Sequence, residues 1–308
     1  MIRGALLIGC ASLLWATTSI VAKFLFSDSG LEPLTLALLR LLVALPVFWV
    51  LMRRELNRQR TDGMRRWWPS LTPPALMVLA ALGLFQAFYQ GSYLLAVDLT
   101  GAGIATLISL CLPPVLVAIL AAPLLGEKPR PVTILALITA IGGTGMLVAS
   151  DMDTAGTLRL AGILLALLAA AVYTGFTLTS RYNSAGTPAF TTAFICFLVA
   201  ALILLPVVWI SGGFAGLNTL GVKQWLMVGY IGLVPTCIGY VCFFIGMKTT
   251  PATLSSIIVT LEPLFVAVLA WVVLGEVLGP IGIAGAVILT IAVVVASVSS
   301  RAASVARD

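Results

Sequence analysis

A carboxylate beside a helix-breaking proline, Glu262-Pro263, sits near the middle of a long apolar run that closes with Leu274-Gly275-Glu276. An ionisable side chain in hydrocarbon costs about 2.5–3.5 kcal/mol on insertion scales, so such a group faces a wet interior and marks a pathway or a relay. Glu262 has no obvious partner in sequence. It is either a protonatable group suited to proton coupling or a neutral glutamic acid hydrogen-bonded into the packing. Arg40 lies within another apolar run and Asp98 at the edge of a third. Arg40 either pairs with Glu32 or Asp98 as a structural clamp or contacts a ligand. Lys23 and Arg181 take matching places at the ends of two further runs, as gates at opposite mouths or as basic side chains snorkelling to the interface.

Around these charges the apolar runs carry polar stripes at helical spacing. Ser12, Trp15 and Ser19 recur in one, and Gln86, Gln90 and Tyr93, flanked by Phe85 and Tyr89, in a second. Thr106, Ser109 and Pro113 mark a third; Tyr173, Thr177 and Ser180 a fourth; Thr236 and Tyr240 a fifth; Ser255 and Glu262 a sixth. Lipid penalises such faces, so they turn towards one another or towards water. Hydrogen bonding in a closed bundle accounts for some Ser and Thr. Paired glutamines with tyrosines and a tryptophan better suit a cavity for a small ligand having apolar and polar parts. Trp15, Ser19, Gln86, Tyr89, Gln90, Tyr93, Ser109, Tyr173, Thr177 and Tyr240 are its expected walls. Pro113, Pro114 and Pro263 each remove a backbone hydrogen bond and predict broken helices at matched positions. Pro235 is a further candidate for a kink.

The elements that must hold these side chains are transmembrane helices. Hydrophobic residues make up 61% of the 308 and charged residues 9%, with mean hydropathy +1.15. Soluble domains carry roughly a quarter charged residues. Ten apolar runs are long enough to cross a bilayer: 4–26, 34–52, 74–96, 102–125, 131–149, 159–180, 188–210, 224–246, 252–274 and 280–298. They are numbered spans 1 to 10. Span 1 is too long, and too polar around Trp15, to be a signal peptide. With the N-terminus inside, Arg3, Arg53, Arg54, Arg58, Arg60, Arg65, Arg66, Lys128, Arg130, Arg181, Lys248, Arg301 and Arg307 fall on the inner side, against Lys23, Arg159 and Lys223 outside. This bias puts both termini in the cytoplasm. The basic loop after span 2 is then a topology determinant, and Trp67-Trp68-Pro69 in it suits an interfacial anchor.

Spans 4 and 9 are copies. Residues 108–134, moved forward by 149 positions without a gap, match at 12 of 27 positions, including Pro114 with Pro263, Gly126-Glu127 with Gly275-Glu276, and Pro131 with Pro280. Two five-span units follow, 4–149 and 159–298. Five is odd, so the second enters the membrane from the opposite side, giving an inverted repeat about an axis in the membrane plane. Spans 5 and 10 have few polar side chains and look peripheral; their glycines suit close packing or a subunit contact. A monomer suffices for a central cavity, and a dimer is open.

With these residues in hand, the chain resembles the drug/metabolite transporter superfamily, in its ten-helix EamA-type branch. The resemblance covers nearly the whole chain. It rests on the duplicated unit, the Leu14-Trp15-Ala16 start of span 1 followed by Lys23, Arg40 in span 2, and Glu262-Pro263 followed by Gly275-Glu276. It implies an all-α membrane fold with a central cavity formed mainly by spans 1, 3, 4, 6, 8 and 9. Length and pattern are also similar to the YddG-like amino-acid exporters. The first repeat departs from the Glu-Pro pattern, with Pro113-Pro114 in its place.

The function expected is a secondary transporter in a bacterial-type inner membrane, exporting small metabolites, amino acids including aromatic ones, by alternating access. A drug or other metabolite exporter, or a passive channel, is the alternative. The chain has no histidine, which removes His-based intramembrane proteases, and no Gly-x-x-x-x-Gly-Lys loop for ATP. Cys10, Cys111, Cys196, Cys237 and Cys242 lie in spans without Cys-x-x-Cys spacing. No metal, cofactor or nucleic acid is expected; the partners are a small-molecule substrate and the lipid bilayer.

Overall fold

The computed structural model describes residues 2–58, 71–125, 157–183, 187–247, 258–259, 261–275 and 279–304, with isolated positions between 131 and 146. Most of span 5, Trp67-Trp68-Pro69, Gly126-Glu127, Ser255 and most of the joint between the repeats lie outside the described residues. So do the side chains of Pro114, Thr177, Ser180 and Arg181.

The described segments are helical, and several helices run past their apolar cores. Span 1 is Ile2–Ser29, span 2 Pro33–Arg58, span 3 Pro73–Thr100 and span 4 Ala102–Leu125. In the second half, span 6 is Thr157–Asn183, span 7 Ala189–Ile210 and span 10 Pro280–Ser304. Among the described residues five helices are long and apolar enough to cross a membrane, and shorter apolar ones lie in spans 4, 6, 9 and 10. Burial is inverted relative to a soluble protein: Trp209, Ile210 and Leu226 are exposed, whereas Ser12, Arg40, Gln86, Gln90 and Thr236 are buried. This is the arrangement that hydrocarbon outside and polar groups inside require.

Span 4 departs from expectation. It stays helical through Pro113 and Pro114 instead of breaking there. Each proline removes one main-chain bond, and a helix packed among neighbours tolerates the loss. In span 9 the described helix Leu261–Leu269 carries Pro263 in its first turn, continues as a π-helical turn Ala270–Leu274, and ends at Gly275. Gly275 adopts φ 68°, and its N–H bonds to Ala270 O. Here the Leu-Gly-Glu signature acts as a helix stop, because a left-handed residue is cheapest as glycine. Gly101, at φ 93°, is likewise the single residue separating spans 3 and 4. Pro235 does not simply kink span 8: between the α-helices Val222–Ile231 and Gly239–Met247 the chain is π-helical over Gly232–Ile238. A short 3₁₀ helix, Ala215–Thr219, precedes it.

Packing between the two halves follows an exchange rule. Span 1 packs on span 8 and span 3 on span 6; span 2 packs on span 8 and span 3 on span 7; span 1 packs on span 9 and span 4 on span 6. Span 2 meets span 7, and span 4 meets span 9. Adding five to a first-half span, or subtracting five from a second-half one, turns each of these contacts into another of the set, or, for spans 2–7 and 4–9, into itself. The span 3–6 and span 1–8 pairs also run antiparallel. A Cβ on Gly162 would strike Thr100 and Leu99, and one on Gly175 would strike Phe85. In the mate pair, Gly239 abuts Trp15 and Gly246 abuts Ile8 and Gly4. Inversion of the second repeat produces this pattern.

Candidate functional site

The spans bring most of the sequence-named residues to one place at mid-bundle. Arg40, 5% exposed, donates from Nη1 to Gln90 Oε1 at 2.8 Å and from Nη2 to Thr236 Oγ1 at 3.0 Å. It does not pair with Glu32 or Asp98: Glu32 accepts instead from Ser211 Oγ at 3.4 Å. The reason lies in span 8. Proline lacks an N–H, and across the π-helical segment around Pro235 the Thr236 hydroxyl donates to Ile231 O at 2.8 Å, five residues back. That bond holds the Thr236 oxygen where Arg40 meets it. Arg40 thus links spans 2 and 3 of the first repeat to span 8 of the second. Its Nε, buried, has no partner among the described residues, and the same is true of Gln86 Nε2 and Trp15 Nε1.

Aromatic rings enclose this centre. Tyr89 stacks on Tyr93 at 5.7 Å and tilts against Tyr173 at 5.1 Å. Trp15 leans on Tyr240 at 5.1 Å, and Phe48 and Phe197 meet Tyr240 edge-on at 6.3 and 5.4 Å. The Tyr93 hydroxyl shares a 2.9 Å hydrogen bond with Thr106 and lies beside Ser19, whose own hydroxyl donates to Ala16 O. Glu262 from span 9 senses the charge of Arg40 and stands near Tyr89, Tyr93 and Tyr173. Among the described residues its carboxylate has neither a hydrogen-bond partner nor an ion pair. Glu262, Trp15, Tyr89, Tyr173 and Tyr240 are only half-buried although helices surround them. Side chains deep in a bundle that keep accessible surface line internal space. One cation, one carboxylate, two amides and aromatic faces can together hold a small ligand that is charged at one end and flat or apolar at the other.

Other named residues have structural partners. Ser109, fully buried, donates to Ala166 O at 3.2 Å and ties span 4 to span 6, so its hydroxyl serves helix packing rather than the cavity wall. Lys23 donates to Asp98 O at 2.7 Å and Val97 O at 3.4 Å. It satisfies carbonyls at the C-terminal end of span 3, where a cation is favoured by the helix dipole. Lys23 and Asp98 therefore meet through the Asp98 backbone. Thr177 and Arg181 lie on span 6, whose backbone alone is described there. Among the described residues no cluster of three or more His, Cys, Asp or Glu could hold a metal.

Sequence reasoning passed over Phe48 and Phe197, which read as ordinary lipid-facing or core residues. It had Thr236 as one polar position among many, without the tie to Arg40. An open groove of about 610 Å³ between spans 1 and 8, lined by Val21, Lys223, Leu226, Met227 and Tyr230, contains none of the central residues. Beside it Tyr230 bonds Thr17 at 3.0 Å, and Lys223 pairs with Asp28 at 2.6 Å.

An all-helical inverted repeat whose polar centre draws on both halves is an architecture of secondary membrane transporters. The chain belongs to the EamA-like transporter family, which it matches twice, over residues 2–149 and 160–298. It is 28% identical over 296 residues to the uncharacterized transporter YwfM of Bacillus subtilis (strain 168), covering 94% of this chain and 92% of that protein. A solved structure described only as "Crystal structure of protein" shares the fold, with TM-score 0.60 and 22% identity across 96% of this chain and 98% of its own.

Proposed function

We propose that this transporter exports amino acids, aromatic ones included, by alternating access between its two repeats. One observation carries the reading: Tyr89, Tyr93, Tyr173, Tyr240 and Trp15 gather around Arg40, Gln90 and Glu262 at mid-bundle. Flat amphipathic walls match an aromatic or apolar side chain, and amides and charges match a polar head group. Both repeats contribute, which is what rocking of one repeat against the other about a fixed site needs. The excess of Lys and Arg in the loops on one side supports a cytoplasmic location for both termini in a bacterial-type inner membrane.

The test is counterflow of a labelled amino-acid panel in proteoliposomes, with and without an imposed pH gradient. Saturable uptake of specific amino acids, weakened by Gln86→Ala or Tyr93→Ala, is the expected result. Acceleration by the gradient that vanishes in Glu262→Gln assigns proton coupling to that carboxylate. Wild-type transport that both wall variants leave unchanged would sink the wall assignment, and no uptake across the panel by a folded preparation would turn the reading towards drugs or other metabolites.

A further inference from the structure

Arg40 is a buried guanidinium held by two neutral acceptors, with a third nitrogen unpartnered. Removing such a charge from water costs several kcal/mol unless an anion and further hydrogen bonds compensate. Gln90 and Thr236 supply hydrogen bonds but no negative charge. Glu262, half-buried on span 9, has no donor among the described residues and lies close enough to Arg40 for the two charges to interact without pairing. Among the described residues the other titratable groups around them are tyrosines, Cys111 and Cys237, with no second carboxylate or basic side chain. Opposite charges left apart, each short of a partner, define a slot for a ligand that carries both.

Resting on the amino-acid reading above, the geometry points to Arg40 as the anchor of the substrate carboxylate and Glu262 as the anchor of its ammonium group, so that a zwitterionic head bridges the two repeats. The guanidinium edge at Nε donates to a carboxylate through a planar fork, two N–H groups meeting two oxygens side by side. Gln86 is 3% exposed, and its Nε2, without a partner among the described residues, is a further donor for the same head group. The substrate side chain then lies against Tyr89, Tyr93 and Tyr173. Because Arg40 belongs to the first repeat and Glu262 to the second, only a substrate with both charges satisfies both halves at once. This sets the substrate class: α-amino acids, in preference to amines, simple carboxylic acids or neutral drugs.

The test compares phenylalanine, phenylalaninamide, which lacks the carboxylate, and 3-phenylpropionate, which lacks the ammonium group, as competitors of labelled phenylalanine counterflow. Wild type is expected to favour phenylalanine over either analogue by roughly 100-fold or more, since a site built for a polar group rejects the analogue lacking it. Arg40→Gln is expected to collapse the preference over the amide towards unity while sparing the preference over 3-phenylpropionate. Glu262→Gln is expected to do the reverse. Two outcomes overturn the anchors while leaving the amino-acid reading intact: analogues that compete as well as phenylalanine in wild type, which needs no variant to fold, or an Arg40→Gln protein that loses phenylalanine and both analogues in equal proportion. Absence of any amino-acid counterflow by wild type overturns the amino-acid reading itself.

Discussion

Glu55 stands near the end of span 2, and its Oε2 accepts the backbone N–H groups of Phe190 at 2.9 Å and Thr191 at 3.1 Å. Those groups belong to the first turn of span 7, whose N-cap is Pro188 and which has no side-chain cap of its own. A helix start leaves its first N–H groups without main-chain acceptors and carries a partial positive charge, so a carboxylate from another helix serves both needs. Hydrogen bonds to charged groups contribute about 1.5–3 kcal/mol each, and the helix end adds about 0.3–1 kcal/mol. Two bonds sharing one oxygen at a half-buried position call for the lower end. Glu55→Ala is therefore expected to cost about 2–3 kcal/mol, and Glu55→Gln, which keeps a neutral acceptor, about half as much. At about 2–4 °C per kcal/mol for chains somewhat shorter than this one, the alanine variant should melt about 4–12 °C lower. The assay is thermal unfolding of purified protein in detergent, followed by tryptophan fluorescence or recovery on gel filtration. An alanine variant as stable as wild type, or a glutamine variant no better than alanine, would refute the capping argument.

Three further outcomes are expected from the same measurement. Gly83→Ala places a Cβ 2.5 Å from Val199 Cβ and 3.0 Å from Cys196 O, atoms that no rotamer change moves, and should cost about 1–3 kcal/mol or more; Gly216→Ala, with nothing within 4 Å, is the neutral control. Thr236→Val removes an acceptor of Arg40 and leaves a buried donor short, a loss of about 1–3 kcal/mol, and Thr236→Ser should restore most of it. Lys223→Ala breaks an ion pair whose lysine is 67% exposed, so its effect should stay below about 1 kcal/mol and shrink further with salt.

The contrast between Glu55 and Glu262 shows where a sequence is legible. Glu262 announces itself because it sits in an apolar run, where a carboxylate costs more than anywhere else in the chain. Glu55 follows Arg53 and Arg54, in a stretch that reads as a loop of topology-setting charge, and nothing local reveals that it caps a helix in the other repeat. Arg40 lies between the two. Its oddity is visible in the sequence, but acidic partners were expected and neutral ones were found, because a π-helical turn in span 8 places Thr236 beside it. The prolines make the same point. Their lost hydrogen bonds are certain from the residue type, yet span 4 passes through Pro113 and Pro114 as a helix, while span 8 answers Pro235 with a π-helical segment.

By itself the sequence determined that the chain crosses a membrane, that its unit is duplicated with inversion, and which side chains are too polar for lipid. These follow from the apolar length needed to span hydrocarbon, from an odd number of crossings per repeat, and from the cost of stranding a charge or an amide there. Only the tertiary structure decided which of those polar groups satisfy one another and which lack a partner among the described residues. Ser109 turns to a neighbouring helix and Lys23 to the end of span 3, whereas the Arg40 edge, Gln86 and Glu262 keep unmet hydrogen-bonding capacity. That division depends on distances between residues up to some two hundred positions apart, and no local spacing encodes them.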